Sequence, residues 1–570
     1  MQDQRNLFLA IALSLIVLVG YNYLQPRRPV PPPAQQLTQT APVAPNAAPD
    51  SVPAIAAQPA PETVVDAPRI PIETPRLRGS LALAGGRIDD LALTQYFETP
   101  AHEKQVTLLT PAGGANPFFV GIGWEAEGGV ASPNAQSIWS VSGDRKLTPS
   151  TPVTITWDNG AGLTFTRVFS VDENYLFTVT QTVTNNGTNP VTLRPSGTIV
   201  RVNPPTVKAS FGPAANLAGY YGSGLEEIDY PDLLKKGLVQ HSLAGGWIGM
   251  NDKYWLVTMM PSKTRTAALT LRGVKSGGTD RYTAEYRAEP QTVAPGATIE
   301  DTTLIFAGAK EENLLAGYEQ SAGITRLERS VDYGFFYLVA KPFFIALDYI
   351  FKMVGNFGVA ILIFNVILKL ILFPLQDRSF HQMARMKDLQ PKIAALKERF
   401  GDDREKMAAA QMELFKKEKI NPASGCLPLL VQIPIFLALY RVLSTSIEMR
   451  QAPFFGWIHD LSEADPTNIF TLFGTIPWDP PHFLTLGVWP LIYGGTMFLQ
   501  QKMTPSPTVD PTQAKVMLAM PLIFMFFFAT APAGLTIYYS WNAVLTIAQM
   551  ALIRRRADRR AAAASNGKKV

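Results

Sequence analysis

The chain has 570 residues, 47% hydrophobic and 17% charged, with a mean hydropathy of +0.07, a mixture that excludes both an ordinary soluble enzyme and a protein lying wholly in lipid. Its single cysteine, Cys426, excludes an intrachain disulfide, and no Cys/His cluster has metal-ligand spacing, so redox chemistry, structural zinc and a bound cofactor are not expected. The net charge is only +5, and the basic residues gather near the ends of apolar runs in the C-terminal half, where they set membrane topology.

Residues 1–24 carry a weak charged leader and a long apolar core. YNYLQP follows directly, with no small-residue cleavage site, so the segment reads as an uncleaved transmembrane anchor. Residues 25–75 are dominated by Pro, Ala, Val, Gln and Thr, a composition that cannot bury enough apolar surface to offset chain entropy; this is a tether. From 76 to 324 the pattern becomes strand-length alternation punctuated by turns. Val153, Ile155 and Trp157 share a face, Asp158-Asn159-Gly160 turns the chain, and alternation resumes from Tyr175 to Val183, which predicts an all-β sandwich. His102 and His241 lie in this region without a recognisable acid/base partner set, and both read as ordinary structural or surface residues.

Residues 325–354 mix aromatics with Lys341, Asp348, Lys352 and Pro342, as a helix lying in the membrane interface does. The next stretch, 355–376, is GNFGVAILIFNVILKLILFPLQ, long enough to cross a bilayer with Lys369 inside it. A lysine at mid-membrane costs roughly 2.5 to 3.5 kcal/mol on insertion scales. Asn365, one turn earlier, shares its face, and two polar side chains on one face of a span predict a wet cavity. Residues 377–421 form a polar segment in which Phe380, Met383, Met386, Leu389, Ile393, Leu396 and Phe400 recur at three- and four-residue intervals. A stop and N-cap follow at Gly401-Asp402-Asp403, so a helical hairpin is predicted, with a kink at Pro391. Residues 422–552 hold four further apolar runs, at about 425–446, 483–500, 516–530 and 533–552, with Trp478, Trp489 and Tyr493 near a proposed interface. Residues 553–570 form a basic tail.

The tail and hairpin are basic, whereas the loop at 446–482 carries several acids and only Arg450. The positive-inside rule therefore puts tail and hairpin in the cytoplasm; six spans then place both termini inside and the β-domain outside, against the local vote of Arg27 and Arg28.

NPASGCLPLLVQIPIFLALY at 421–440, preceded by LQPKIAALKERFGDD and followed by RQAPFFGWIHDLS, FLQQKMTPSPTVDP and PAGLTIYYSWN, resembles the YidC membrane protein insertases of the YidC/Oxa/Alb family, Gram-negative type with a large periplasmic domain. The resemblance covers about 331–556 closely. It implies a non-enzymatic insertase and chaperone of the bacterial inner membrane with no catalytic residues. The implied fold is a multi-domain membrane protein: a six-span α-helical bundle with a five-helix core around a hydrophilic groove, an all-β periplasmic supersandwich and a cytoplasmic helical hairpin. It places Lys369 at the groove's basic position, commonly arginine, with Asn365 and Gln432 beside it. It makes Cys426, Ile433, Pro434, Tyr538 and Tyr539 substrate contacts. The implied partners are nascent membrane proteins, the Sec translocon, ribosomes and targeting factors through hairpin and tail, and anionic lipids; sequence-specific nucleic-acid binding is not implied. Two alternatives fit less well. An ion-coupled transporter would place carboxylates in its spans, and these apolar runs contain none. A membrane-anchored carbohydrate-binding or carbohydrate-processing protein would leave the C-terminal half without a purpose.

Overall fold

The computed structural model describes residues 66–205, 215–222, 224–401, 403–418, 427–473, 475–476, 478, 480–481, 485–503 and 511–566. The anchor at 1–24, most of the tether, Arg27, Arg28, Asp402 and Cys426 lie outside the described residues, as do the side chains of Met383 and of the tail beyond Arg555.

Among the described residues, alternating sequence produces two antiparallel sheets, one of ten strands and one of nine. The central strands of the first are Arg87–Phe97, Phe118–Ala126, Val191–Val202, Thr279–Ala288 and Thr266–Ser276; those of the second are Trp247–Asn251, Trp255–Met260, Thr298–Ala309, Leu176–Asn185, Leu163–Val171 and Val153–Asp158. In Leu163–Val171 every odd residue is buried, so one face is committed to the space between the sheets. Phe165, Phe169, Phe177 and Tyr286 fill that space, while Trp247 and Phe306 are buried on the second sheet's other face, Phe306 against the ring of Tyr318. Tyr286 of the first sheet hydrogen-bonds Thr303 of the second through their hydroxyls at 2.6 Å. Gly197 leaves room for it, since a Cβ there would stand 2.3 Å from the Tyr286 ring. The turn at Asp158-Asn159-Gly160 is made by the Asp158 carboxylate, which accepts from the Gly160 N–H at 2.7 Å, and by the positive φ of Gly160. His241 stacks on Tyr221 and bonds Glu226 at 2.9 Å, while His102 stacks on Phe97; both histidines are occupied by local structure.

Helix α1 (Tyr230–Lys236) caps the first sheet, and α2 (Glu312–Ser321) carries the chain out of the second. Helix α3 (Tyr337–Val354) follows, burying Ala340, Phe344 and Leu347 while Leu338, Ile345, Tyr349 and Met353 are exposed on its other side. Gly355, at φ 71°, ends it, and the Asn356 side chain accepts from the Val359 N–H to start α4 (Phe357–Asp388). These two are the helices, among the described residues, long and apolar enough to cross a membrane.

At about 1.5 Å per residue the 32-residue α4 is about 48 Å long against an apolar core of about 30 Å, so its final turns project beyond any membrane it crosses. The helix itself does not stop at Gln376: one continuous helix runs from the segment expected to span into the first part of the polar segment. Pro391 does not kink a helix either. The chain breaks at Leu389, and Pro391 sits in the first turn of α5 (Gln390–Phe400), where its missing N–H costs nothing. Asp403 then caps α6 (Arg404–Lys417) by accepting from the Lys406 N–H. Met386, Leu389, Ile393 and Phe415 form a small core separate from the main one, and Lys392 pairs with Glu418 at 2.6 Å. The remaining α-helices among the described residues are α7 (Leu427–Thr445), α8 (Val488–Met503), α9 (Pro511–Ala529) and α10 (Ala533–Asn566).

The β-domain grips the loop that follows α7. Arg441 near the end of α7 pairs with Asp332 at 3.0 Å, the Gln451 amide donates to Phe97 O at 3.0 Å, and Tyr254 bonds Ser462 at 3.2 Å. The Glu312 N–H donates to Glu448 Oε1 at 3.2 Å, and Lys341 lies 3.3 Å from the Glu312 carboxylate. Burial, with Glu312 and Glu311 close by, raises Glu448 to about 8; burial also raises Glu312 to about 7, against the pull of Lys341.

A carboxyl group whose folded pKa is raised contributes stability that is whole below its unfolded value of 4.5 and is lost as pH climbs toward the folded value. Stability against urea is therefore expected to fall between about pH 5 and pH 8, by at most about 1.4 kcal/mol per pH unit for each group. Urea melts at pH 5, 6.5 and 8 test this. Glu448→Gln should flatten the slope, and an unchanged slope in that variant would remove Glu448 as its source.

Candidate functional site

Lys369, Asn365 and Gln432 are all drawn to one helix, α10. Asn365 is fully buried and its Nδ2 donates to Tyr538 O at 2.9 Å, while its Oδ1 has no partner among the described residues. Gln432 of α7 donates to the Tyr539 hydroxyl at 3.2 Å from the other side. Lys369, one turn beyond Asn365 on the same face of α4, donates from Nζ to Thr546 Oγ1 at 2.7 Å and reaches Gln376 Oε1 at 3.5 Å.

The ammonium is thus held by a hydroxyl and an amide. Among the described residues no carboxylate stands within ion-pair distance of it. An acidic partner would neutralise it internally; neutral dipoles leave its charge available while lowering the cost of its position. Thr546 is fixed for this role because its own hydroxyl donates back to Asn542 O at 2.7 Å.

Tyr539 is enclosed by Phe436, Phe528, Tyr493 and Tyr538, with ring centroids 5.5, 5.3, 6.1 and 5.0 Å away. Tyr493, expected near an interface, is only 8% exposed and belongs to this aromatic core. Ile433 and Pro434 lie half-buried in α7, next to Gln432. The structure therefore brings Lys369, Asn365, Gln432, Tyr538 and Tyr539 into one seam between α4, α7 and α10.

Sequence reasoning missed Thr546 and Gln376. A signal was present, because Tyr539, Asn542, Thr546 and Gln549 recur at intervals of three and four along the last apolar run, a polar stripe on an otherwise apolar helix. Gln549 is buried on that stripe with its Nε2 unpartnered among the described residues. No group of three or more His, Cys, Asp or Glu side chains among the described residues is placed to hold a metal ion.

Two family models match: 60Kd inner membrane protein over residues 349–560, and YidC periplasmic domain over residues 69–346. The chain is 42% identical over 598 aligned residues to a protein of Bradyrhizobium diazoefficiens named Membrane protein insertase YidC, covering 98% of this chain and 97% of that one. A protein of the same name from Granulibacter bethesdensis is 44% identical over 569 residues, covering 97% and 98%. A solved structure titled "Active YidC insertase crystal structure with the first transmembrane domain resolved" aligns over 86% of this chain and 93% of its own, at 20% identity and a TM-score of 0.36.

Proposed function

The chain belongs to the YidC family of membrane protein insertases, and from that membership we propose a mechanism centred on the seam between α4, α7 and α10. The protein is an inner-membrane insertase whose clients are nascent membrane proteins, and it works without bond-making or bond-breaking chemistry. Transfer across lipid is limited by the desolvation of a client's polar segment. A charged, hydrogen-bonding seam inside the helical part lowers that cost while the client's apolar segment moves into lipid. The observation that carries this reading is Lys369, a cation on an apolar helix whose partners among the described residues are neutral.

In the proposed arrangement 1–24 is an anchor, 25–75 a periplasmic tether whose last part, Arg69–Glu73, is already a strand of the first sheet, 76–324 a periplasmic β-domain and 325–354 an interfacial segment. Residues 355–376 and four segments within 422–552 complete six spans. The hairpin at 377–421 and the tail at 553–570 face the cytoplasm, supported by their basic charge. The hairpin's own small core and its separation from the bundle suit a receiving arm for ribosomes, targeting factors or anionic lipid. Ile433, Pro434, Tyr538 and Tyr539 contact the client, as does Cys426 just ahead of α7. Insertion proceeds alone or beside the Sec translocon.

Photo-crosslinking of stalled nascent chains to probes placed along 425–446 tests the reading. Client crosslinks should concentrate around Gln432, Ile433 and Pro434 and weaken toward the residues that α3 and the β-domain cover. Uniform absence of client crosslinks along α7, with insertion intact, would overturn the seam as the client path.

A further inference from the structure

The β-domain holds a cation that the insertion mechanism does not use. Arg167 points from Leu163–Val171 into the core and is 2% exposed. Its Nη1 donates to Gly85 O and Gly86 O at 3.1 and 3.0 Å, its Nε donates to Gln181 Oε1 at 3.1 Å, and its plane lies 4.2 Å from the Trp139 ring centroid. No carboxylate among the described residues pairs with it, and its Nη2 has no protein partner there. Burial without a counter-ion pulls the guanidinium down to about 9, still protonated at neutral pH. A buried charge without an opposite charge is costly, and such an arrangement is retained where something else supplies the counter-charge.

The Nη2 edge lines a cavity of 320 Å³. A Cβ on Gly123 would stand 3.6 Å from Nη2 and 4.0 Å from Ser196 Oγ, so the bare glycine opens the approach to both. Gly121 and Gly123 alternate on one side of Phe118–Ala126, and Thr283, whose buried hydroxyl has no partner among the described residues, lies on the same cavity wall. Both glutamates of the wall are answered by Arg287, 2.8 Å from Glu125 and 3.7 Å from Glu285, and Arg87 lies 3.5 Å from Asp89. The charge offered by Arg167 is a single unit, which suits a singly charged anion. The volume sits at the lower end of small-molecule sites.

We propose that this cavity binds a monocarboxylate bearing hydroxyl or amide groups, its carboxylate meeting Arg167 Nη2 beneath Gly123 and its neutral polar groups meeting Ser196 and Thr283. Two sources carry this chemistry: a free hydroxy acid of sugar size, and a glutamate side chain on an extended peptide.

Calorimetric titration of the full-length protein in lipid nanodiscs, at constant ionic strength, tests the site with three probes: glucuronate, glucose, and an N-acetylated, C-amidated Gly-Glu-Gly peptide. Saturable binding of glucuronate or the peptide is expected, at least tenfold tighter than glucose. Binding of glucuronate alone assigns the site to free hydroxy acids, and binding of the peptide alone assigns it to polypeptide carboxylates. Gly123→Val, which covers Nη2 without removing the core arginine, should weaken binding at least tenfold with the melting temperature of the domain kept. Arg167→Met should abolish the preference over glucose. No saturable binding of either carboxylate, equal binding of glucose, or full binding in a folded Gly123→Val protein would each overturn the proposal.

Discussion

Lys369→Ala is expected to reduce insertion of clients with acidic translocated segments by about tenfold, while Lys369→Arg stays near the parent and Lys369→Glu falls below alanine. A tenfold loss corresponds to about 1.4 kcal/mol. That is a fraction of the roughly 4 kcal/mol that two unit charges exchange at 4 Å in a medium of effective dielectric constant about 20. The alanine variant removes the attraction, the glutamate variant replaces it with repulsion, and arginine retains the charge. Because the ammonium leans on Thr546 at 2.7 Å, Thr546→Val should give a smaller loss of the same client dependence. Insertion of acidic and neutral clients into vesicles, compared across the series, is the measurement. A lysine that merely snorkels its ammonium toward the headgroups predicts the opposite pattern: Lys369→Ala inserts every client normally and is more stable, having shed a costly charge. Hydration of the seam has its own test. In a Cys426→Ser background, Lys369→Cys supplies a single thiol, which a membrane-impermeant maleimide should reach from the cytoplasmic side only. Protection from both sides, together with a fully active alanine variant, would defeat the mechanism while leaving family membership untouched.

Trp247→Ala should cost the β-domain about 3 to 5 kcal/mol, the range for deleting a large core aromatic. Trp247 is fully buried on the face of the second sheet turned away from the first, and its Nε1 donates to Thr325 O at 3.2 Å, pinning the segment by which the chain leaves the domain toward α3. Trp247→Phe separates the two contributions, since it keeps most of the apolar body and loses only the donor, worth about 1 kcal/mol net. Urea denaturation followed by near-ultraviolet circular dichroism reads both. Equal midpoints for the two variants would mean that the hydrogen bond, not the packing, dominates at this position.

The β character of residues 76–324 was legible because alternation at period two is a local property: Val153, Ile155 and the odd residues of Leu163–Val171 are buried as their spacing requires. The helical character of the C-terminal part was equally legible from its apolar runs. Element ends were less so. Hydropathy falls after Gln376, yet α4 continues to Asp388, because a helix leaving an apolar layer keeps its backbone hydrogen bonds and needs only a change of side chains.

The sequence by itself determined that a cation sits inside an apolar run, since the cost of that placement follows from the run alone. It also carried the motifs at 421–440 and around PAGLTIYYSWN that point to the insertase family. Only the tertiary structure decided which groups answer that cation: Thr546 lies 177 residues from Lys369, and Tyr538 lies 173 from Asn365. That Tyr493 packs on Phe528 inside the aromatic core was likewise decided by the helices facing it. The same holds for the contacts of Gln451 with Phe97 and of Arg167 with Gly85 and Gly86. Periodicity and hydropathy are sums over neighbours in the chain, whereas a hydrogen bond between distant segments forms only after packing has fixed their separation to a few tenths of an ångström.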